Sequence, residues 1–135
     1  MGYTVLNKDN EIVALCTRLE DAAAQVGDIC NYNIYSDKYP INIENFYFTE
    51  RDFGGSYARI RFGDMYTLSV ICNKGNNYEI AVLDQDDKFT RLEGIMLPYD
   101  DVRCYLTAGQ VTTAIIKLYA LTGEFPVIAD ITELL

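Results

Sequence analysis

Apolar and polar residues alternate through the middle of the chain, and this pattern predicts an antiparallel sheet. In the first segment, every second residue is apolar, and Arg59 and Arg61 occupy the positions between them. Similar segments follow, separated by polar turns. The apolar positions of the first three segments are Ala58, Ile60 and Phe62; Tyr66, Leu68, Val70 and Cys72; and Tyr78, Ile80 and Val82. The fourth segment is 89–92. We therefore predict a meander of about four strands.

The N-terminal residues predict a β-hairpin. Two short apolar segments, 3–6 and 11–16, flank the turn-forming residues 7–10. After the hairpin, Thr17 and Glu20 have the spacing of a helix capping box. The residues that follow keep the three-four apolar spacing of a helix, and we expect that helix to run from about 18 to 30. Its apolar stripe consists of Leu19, Ala22, Ala23, Val26 and Ile29.

A second helix is predicted near the C-terminus. Thr107 and Gln110 form another capping box, and Gly123 followed by Pro126 predicts where the helix ends. Val111, Ala114, Ile115 and Leu118 supply the apolar stripe that should pack on the sheet. The tail, 125–135, is apolar with few acids, so we expect it to pack as a short strand or helical turn.

Residues 31–57 are rich in tyrosine and asparagine and are interrupted by Pro40. We expect an irregular segment that ends in a strand near 43–49. Tyrosine and asparagine are common in recognition surfaces, so this segment is a candidate partner-binding face. The structural alternative is a half-buried loop whose rings pack on the sheet. The candidate contact residues are Tyr32, Tyr35 and Tyr39.

Together these elements predict the α+β class: an N-terminal hairpin and a meander of about four strands, packed by two helices. The chain has 135 residues, of which 50% are hydrophobic. That is enough for one ordinary core, and we predict a single domain over 1–135. The chain contains neither a signal peptide pattern nor an apolar run of the roughly 20 residues that cross a bilayer, so we expect a soluble protein without a membrane partner.

The charge distribution is strongly acidic. Twenty acids and eleven bases give a formal net charge of −9, which repels phosphate backbones and argues against direct nucleic-acid binding. Much of this charge lies in residues 79–101. The candidate partner-binding acids there are Asp84, Asp86, Asp87, Asp100 and Asp101. Ordinary hydrogen-bonded turns are the structural alternative for these acids.

Several common chemistries have no sequence support. The chain lacks histidine, which excludes histidine-dependent triads, and it contains neither a phosphate-binding loop nor a dinucleotide fingerprint. The segment 84–89 begins like a calcium loop, but Lys88 and Phe89 stand where that loop needs an oxygen ligand and a glycine. The four cysteines are too widely spaced for a zinc knuckle. We therefore expect no metal or other cofactor, four buried thiols and a cytoplasmic location.

Arg59 and Arg61 share one strand face and are candidate anion-binding residues, with pairing to neighbouring acids such as Glu79 as the alternative. The leading functional prediction is a non-enzymatic interaction protein, an inhibitor or adaptor, that presents acids and tyrosines to a partly basic protein partner. A regulatory module that binds a small molecule or anion is the second hypothesis, and a carboxylate-based hydrolase is the third. Self-association is compatible with the sequence.

Overall fold

Two antiparallel sheets and two helices make up the structure, a computed structural model that describes residues 2–37, 41–52, 54–75 and 77–129. The predicted α+β class is confirmed. The elements in chain order are β1 (Tyr3–Asn7), β2 (Ile12–Cys16), α1 (Leu19–Ala24), β3 (Tyr32–Ser36), a 3₁₀ turn (Ile43–Asn45), β4 (Thr49–Glu50), β5 (Ser56–Phe62), β6 (Tyr66–Cys72), β7 (Tyr78–Leu83), β8 (Arg103–Leu106), α2 (Ala108–Thr122) and β9 (Val127–Ile128).

The larger sheet has the strand order β4-β5-β6-β7-β8, and β9 pairs with the C-terminal half of β5. Strands β5, β6 and β7 form the first three strands of the predicted meander. The predicted fourth strand at 89–92 is wrong: only Phe89 bridges to Leu83, and β8 is the next full strand along this edge. The chain leaves the sheet after Thr90, whose amide donates to the Val82 carbonyl (2.9 Å), and the Leu92 carbonyl then accepts the amides of Ile95 and Met96 in a tight turn.

The smaller sheet has the order β2-β1-β3 and contains the predicted N-terminal hairpin. Its third strand corrects the expectation of an irregular segment, because Tyr32–Ser36 pairs along the whole of β1. Ile34 is the one fully buried apolar side chain of this strand, which is why no alternation of apolar residues marked it. Near 43–49, the 3₁₀ turn and the two-residue β4 replace the expected strand.

Helix α1 is shorter than predicted, spanning six residues instead of about 18–30. Its N-cap is Arg18, which makes no side-chain capping bond, so the predicted Thr17 capping box does not form. The helix ends early because the chain beyond Gln25 is held by other elements. Lys117 of α2 donates to the carbonyls of Val26 (2.6 Å) and Gly27 (3.1 Å).

Helix α2 lies between the two sheets and is buried around most of its circumference. Its capping box forms as predicted: Gln110 N donates to Thr107 Oγ1 (3.2 Å), and Thr107 N donates to Gln110 Oε1 (2.8 Å). The helix ends at Gly123, whose left-handed φ of 72° suits a residue without a Cβ. Val111, Ala114, Ile115 and Leu118 pack in the core of the larger sheet, and Ile116 packs in the core of the smaller sheet.

Two buried threonines join α2 to its surroundings. Thr113 Oγ1 accepts the amide of Ile34 in β3 (3.0 Å), and Thr112 Oγ1 accepts the amide of Ile43 (2.9 Å). Each hydroxyl therefore satisfies a backbone donor that would otherwise be buried without a partner.

We predict that Thr113→Val destabilises the protein by about 1–3 kcal/mol, because the similarly shaped valine leaves the buried Ile34 amide unpaired. The matched control is Thr67→Val on the half-buried outer face of β6, which should change stability by less than about 0.5 kcal/mol. Urea unfolding of both variants checks the prediction. Equal effects of the two substitutions would contradict it.

Candidate partner-binding surface

The acids Asp84, Asp86 and Asp87 lie in the tight turn that follows β7. Asp84 Oδ1 accepts the amides of Asp86 (2.8 Å) and Lys88 (3.0 Å), so this carboxylate fixes the turn, as the structural alternative expected. Asp86 and Asp87 are exposed. Asp84 therefore stabilises the turn, and the side chains of Asp86 and Asp87 are exposed to solvent.

The two arginines of β5 lie on the outer face of the larger sheet. Arg59 Nη2 is 3.6 Å from Asp87 Oδ1, and Glu79 instead accepts a hydrogen bond from Asn73 Nδ2 (3.3 Å). Arg59 thus pairs with an acid, as the structural alternative expected, but that acid is Asp87 of the turn and not Glu79 of a neighbouring strand. Arg61 lines a polar cavity of about 320 Å³ together with Asp64, Asp84 and Asp87. Carboxylates outnumber the cation in this cavity, which disfavours an anion there.

Asp100 and Asp101 lie just before β8. Asp100 Oδ1 accepts the amide of Val102 (3.2 Å), and Asp101 Oδ1 pairs with Arg91 Nε at 3.0 Å. Arg91 also donates to the carbonyl of Pro98 (3.1 Å). These bonds tie the 91–102 connection into a defined loop.

Three exposed aromatic rings that the sequence analysis missed lie along the same edge as these acids. Phe89, Tyr99 and Tyr105 are 55%, 74% and 85% exposed. Phe89 and β8 both pair with the same edge of β7, and Tyr99 directly precedes Asp100. We call this region the acidic–aromatic surface; its members are Asp84, Asp86, Asp87, Phe89, Tyr99, Asp100, Asp101 and Tyr105.

A β-bulge in β8 aims Tyr105 outward. Tyr78 pairs with Leu106 and Ile80 pairs with Arg103, so two residues of β8, Cys104 and Tyr105, lie opposite one residue of β7. Tyr105 has a φ of 59°, a left-handed conformation that is uncommon for an aromatic residue. Such backbone outliers occur often at functional sites.

The expectation that all four thiols are buried is wrong. Cys104 is exposed, and Cys16, Cys30 and Cys72 are half-buried. Local desolvation, followed by the charges of Glu79 and Asp100, raises the pKa of the Cys104 thiol above its ordinary value. This thiol is therefore protonated at neutral pH and is not an activated nucleophile.

An ion pair between a buried arginine and a half-buried aspartate anchors β8 to the rest of the molecule. Arg103 is 7% exposed, and its guanidinium donates to both carboxylate oxygens of Asp28, at 2.9 and 2.8 Å. It also donates to the Ile95 carbonyl (3.0 Å) and contacts Cys30 Sγ (2.8 Å). A hydrogen bond from Ile29 N to Gly94 O (2.9 Å) also joins the loop after α1 to the loop before β8. These bonds tie β8 and the loop before it to the segment that follows α1.

The candidate tyrosines lie elsewhere in the fold. Tyr32 is half-buried and packs on the core of the smaller sheet, which matches the structural alternative. Tyr35 is 43% exposed on the outer face of that sheet, and Tyr39 lies outside the described residues. Tyr35 and the acidic turn thus belong to different sheets. Phe89 and Tyr105 instead follow the same edge of β7 as the acids, with Phe89 at the end next to the acidic turn and Tyr105 opposite Glu79 near the other end.

The described residues contain no cluster of three or more acidic or thiol side chains that could hold a metal ion. No helix in the same residues is both long and apolar enough to cross a membrane.

We predict that Asp28→Asn lowers stability at neutral pH by about 3 kcal/mol, because it leaves the Arg103 charge poorly compensated. The hydrogen bonds from Arg103 hold the pKa of Asp28 below its ordinary value of 3.8. A depressed folded-state pKa gives stability that is present above the unfolded pKa and is lost as the pH falls through the folded pKa. Thermal unfolding from about pH 7 to pH 2 should therefore show a steeper acid loss for the wild type than for the variant, and parallel curves would contradict this prediction.

The chain matches no protein-family model, and the searches found no significant match to it among curated proteins or solved structures.

Proposed function

We propose that this chain is a non-enzymatic interaction protein that binds a basic protein partner through its acidic–aromatic surface. The observation that carries the proposal is the position of three exposed rings among acids along one edge of β7. The unpaired state of the cysteines at 16, 30, 72 and 104 supports action in the cytoplasm, where thiols stay reduced.

Acids and aromatic rings contribute in different ways to such an interface. Exposed carboxylates raise the rate of encounter with a positively charged surface, and this steering weakens as salt rises. Aromatic side chains contribute contact area at a low entropic cost and frequently form the energetic centre of an interface. They also attract lysine and arginine side chains over their faces. The combination suits a partner rich in those two residues.

The backbone of β8 favours recognition by side chains over strand addition. β8 has only four residues, and its bulge at Cys104 and Tyr105 includes a residue with a φ of 59°, so this edge offers little regular backbone to a further strand. The Arg103–Asp28 pair then keeps the bulged strand in one position. A surface that is ordered before binding loses less entropy when its partner docks.

We predict that the triple change Asp84→Asn, Asp86→Asn and Asp87→Asn slows association with the partner about 3–30-fold at low salt. The matched control changes Glu44→Gln, Glu50→Gln and Asp52→Asn, three exposed acids around β4. Both triple variants change the formal net charge from −9 to −6, so a difference between them reports where the charge lies. Partners captured from lysate by the wild-type chain are measured by surface plasmon resonance at about 0.05 and 0.3 M salt.

Loss of salt-dependent association in the first triple variant, with retention in the control, supports the proposal. Equal association rates for the two variants, or a wild-type rate that does not change with salt, would remove the acidic turn from the interface.

We further predict that the double change Tyr99→Ala and Tyr105→Ala speeds dissociation of the same partner about 5–100-fold, because rings that anchor an interface act mainly on the dissociation rate. Tyr47→Ala is the matched control, since Tyr47 is 78% exposed outside the acidic–aromatic surface. Dissociation that is unchanged in the double variant would exclude these rings as anchors.

A further inference from the structure

Strand β2 is an open edge of the smaller sheet. The sheet order β2-β1-β3 leaves one side of β2 without a partner strand in the described part of the chain. The opposite edge, on β3, is contacted by α2, whose Thr113 accepts the Ile34 amide. An uncovered edge presents free backbone donors and acceptors and is a template for another strand.

The side chains of β2 are unusually apolar for an exposed strand. Ile12, Val13 and Leu15 are 62%, 47% and 75% exposed, and residues 12–16 carry no charge in a chain whose net charge is −9. Leu6 and Tyr35 continue this apolar face across the sheet. Proteins ordinarily protect an edge strand with charges, proline or a bulge that breaks the ladder.

The bulge in this hairpin leaves the edge usable. Val5 pairs with Ala14 and Leu6 pairs with Ile12, so Val13 is an extra residue. The bond from Asn7 N to Glu11 O (3.0 Å) makes the next pair, Leu6 and Ile12, a non-hydrogen-bonded pair, and Ile12 therefore points its main-chain groups outward. Val13 and Ala14 together lie opposite Val5, so the main-chain groups of Leu15, which pairs with Thr4, also point away from β1.

We propose that β2 pairs antiparallel with β2 of a second copy of this chain and forms a continuous six-stranded sheet. In this register, Ile12 lies opposite Leu15 of the second copy, and the two-fold axis passes between the two bulges. Both residues lie on the same face of the sheet and point their backbone groups outward, so each such pair exchanges two hydrogen bonds. Each strand has the same two residues, Val13 and Ala14, between Ile12 and Leu15, so the register is symmetric about the two-fold axis.

Charge complementarity favours a second copy as the occupant. The same register places Arg18, which precedes α1, beside Asp9 in the hairpin turn of the second copy, and it places Lys8 close to Glu20 of the second copy. All four side chains are exposed, and within one copy Arg18 Nε also lies 3.7 Å from Glu20 Oε2, so the second copy adds to an exposed and loosely held pair. The two-fold axis makes each contact twice, so opposite charges flank the apolar centre at both ends.

We test the dimer by sedimentation velocity on the full chain from about 1 to 500 μM at about 0.15 M salt, where repulsion between the two acidic copies is screened. The interface is at the small end of the usual size range, so we expect a dissociation constant of about 1–100 μM. Leu15→Lys and Ile12→Lys should each weaken the dimer at least about 30-fold. Leu121→Lys is the matched control, because Leu121 is 58% exposed on α2, and it should leave the constant unchanged.

A charge exchange tests the register itself. Arg18→Asp places two like charges at each end of the interface and should weaken the dimer about 3–10-fold, whereas Arg18→Asp combined with Asp9→Arg should restore it. Aspartate is also a favourable N-cap for α1, so this variant keeps its helix. If either lysine variant loses its circular-dichroism signal, the charge exchange decides the question.

A wild-type chain that stays monomeric at every concentration would overturn the proposal and leave the edge to a strand of another protein. A dimer that survives both folded lysine variants, or that the charge exchange does not restore, would also overturn it. The variants Asp84→Asn, Asp86→Asn and Asp87→Asn lie outside this interface, so the dimer and the basic partner can fail separately.

Discussion

The fold depends on one helix, α2, whose central residues are buried against both sheets. Both sheets bury apolar side chains against α2, which contributes Ile115 and Leu118 to one core and Ile116 to the other. A helix in this position must be apolar all round and must still satisfy the backbone groups that it covers. Thr112 and Thr113 meet the second requirement with hydroxyls that accept the amides of Ile43 and Ile34. The two sheets are therefore coupled through a shared helix.

A second connection links this core to the surface. Arg103 and Asp28 join β8 of the larger sheet to the loop that leads from α1 to the smaller sheet, and Lys117 of α2 holds the backbone of the same loop. Because partly buried charges must be paired, this arrangement fixes the geometry of β8 more strictly than apolar packing alone would. The bulge and Tyr105 then project from a fixed base. The interior contacts of Arg103 and Lys117 therefore order the part of the proposed partner-binding surface that β8 carries.

The sequence predicted the elements that have a strong local signal. The alternation of β5 to β7 and the capping box of α2 were readable because the responsible residues are neighbours in the chain. β8 and the early end of α1 were not, since β8 is tied to Asp28 by Arg103 across 75 positions and the chain after α1 is held by Lys117 across about 90. β3 was hidden because its buried side holds only Ile34 as a fully buried apolar residue. The acids of the candidate surface were predicted, but its rings were missed because isolated exposed aromatics follow no period; the adjacent Tyr99 and Asp100 were the available signal.

Hydrogen exchange of the chain with and without its captured partner tests the central claim most directly, because it reports which backbone a bound protein covers. We expect slower exchange in residues 84–90 and 99–105, with no change in 12–16. Protection confined to the outer face of the β2-β1-β3 sheet, or absent from 84–105, would contradict the assignment of the partner-binding surface.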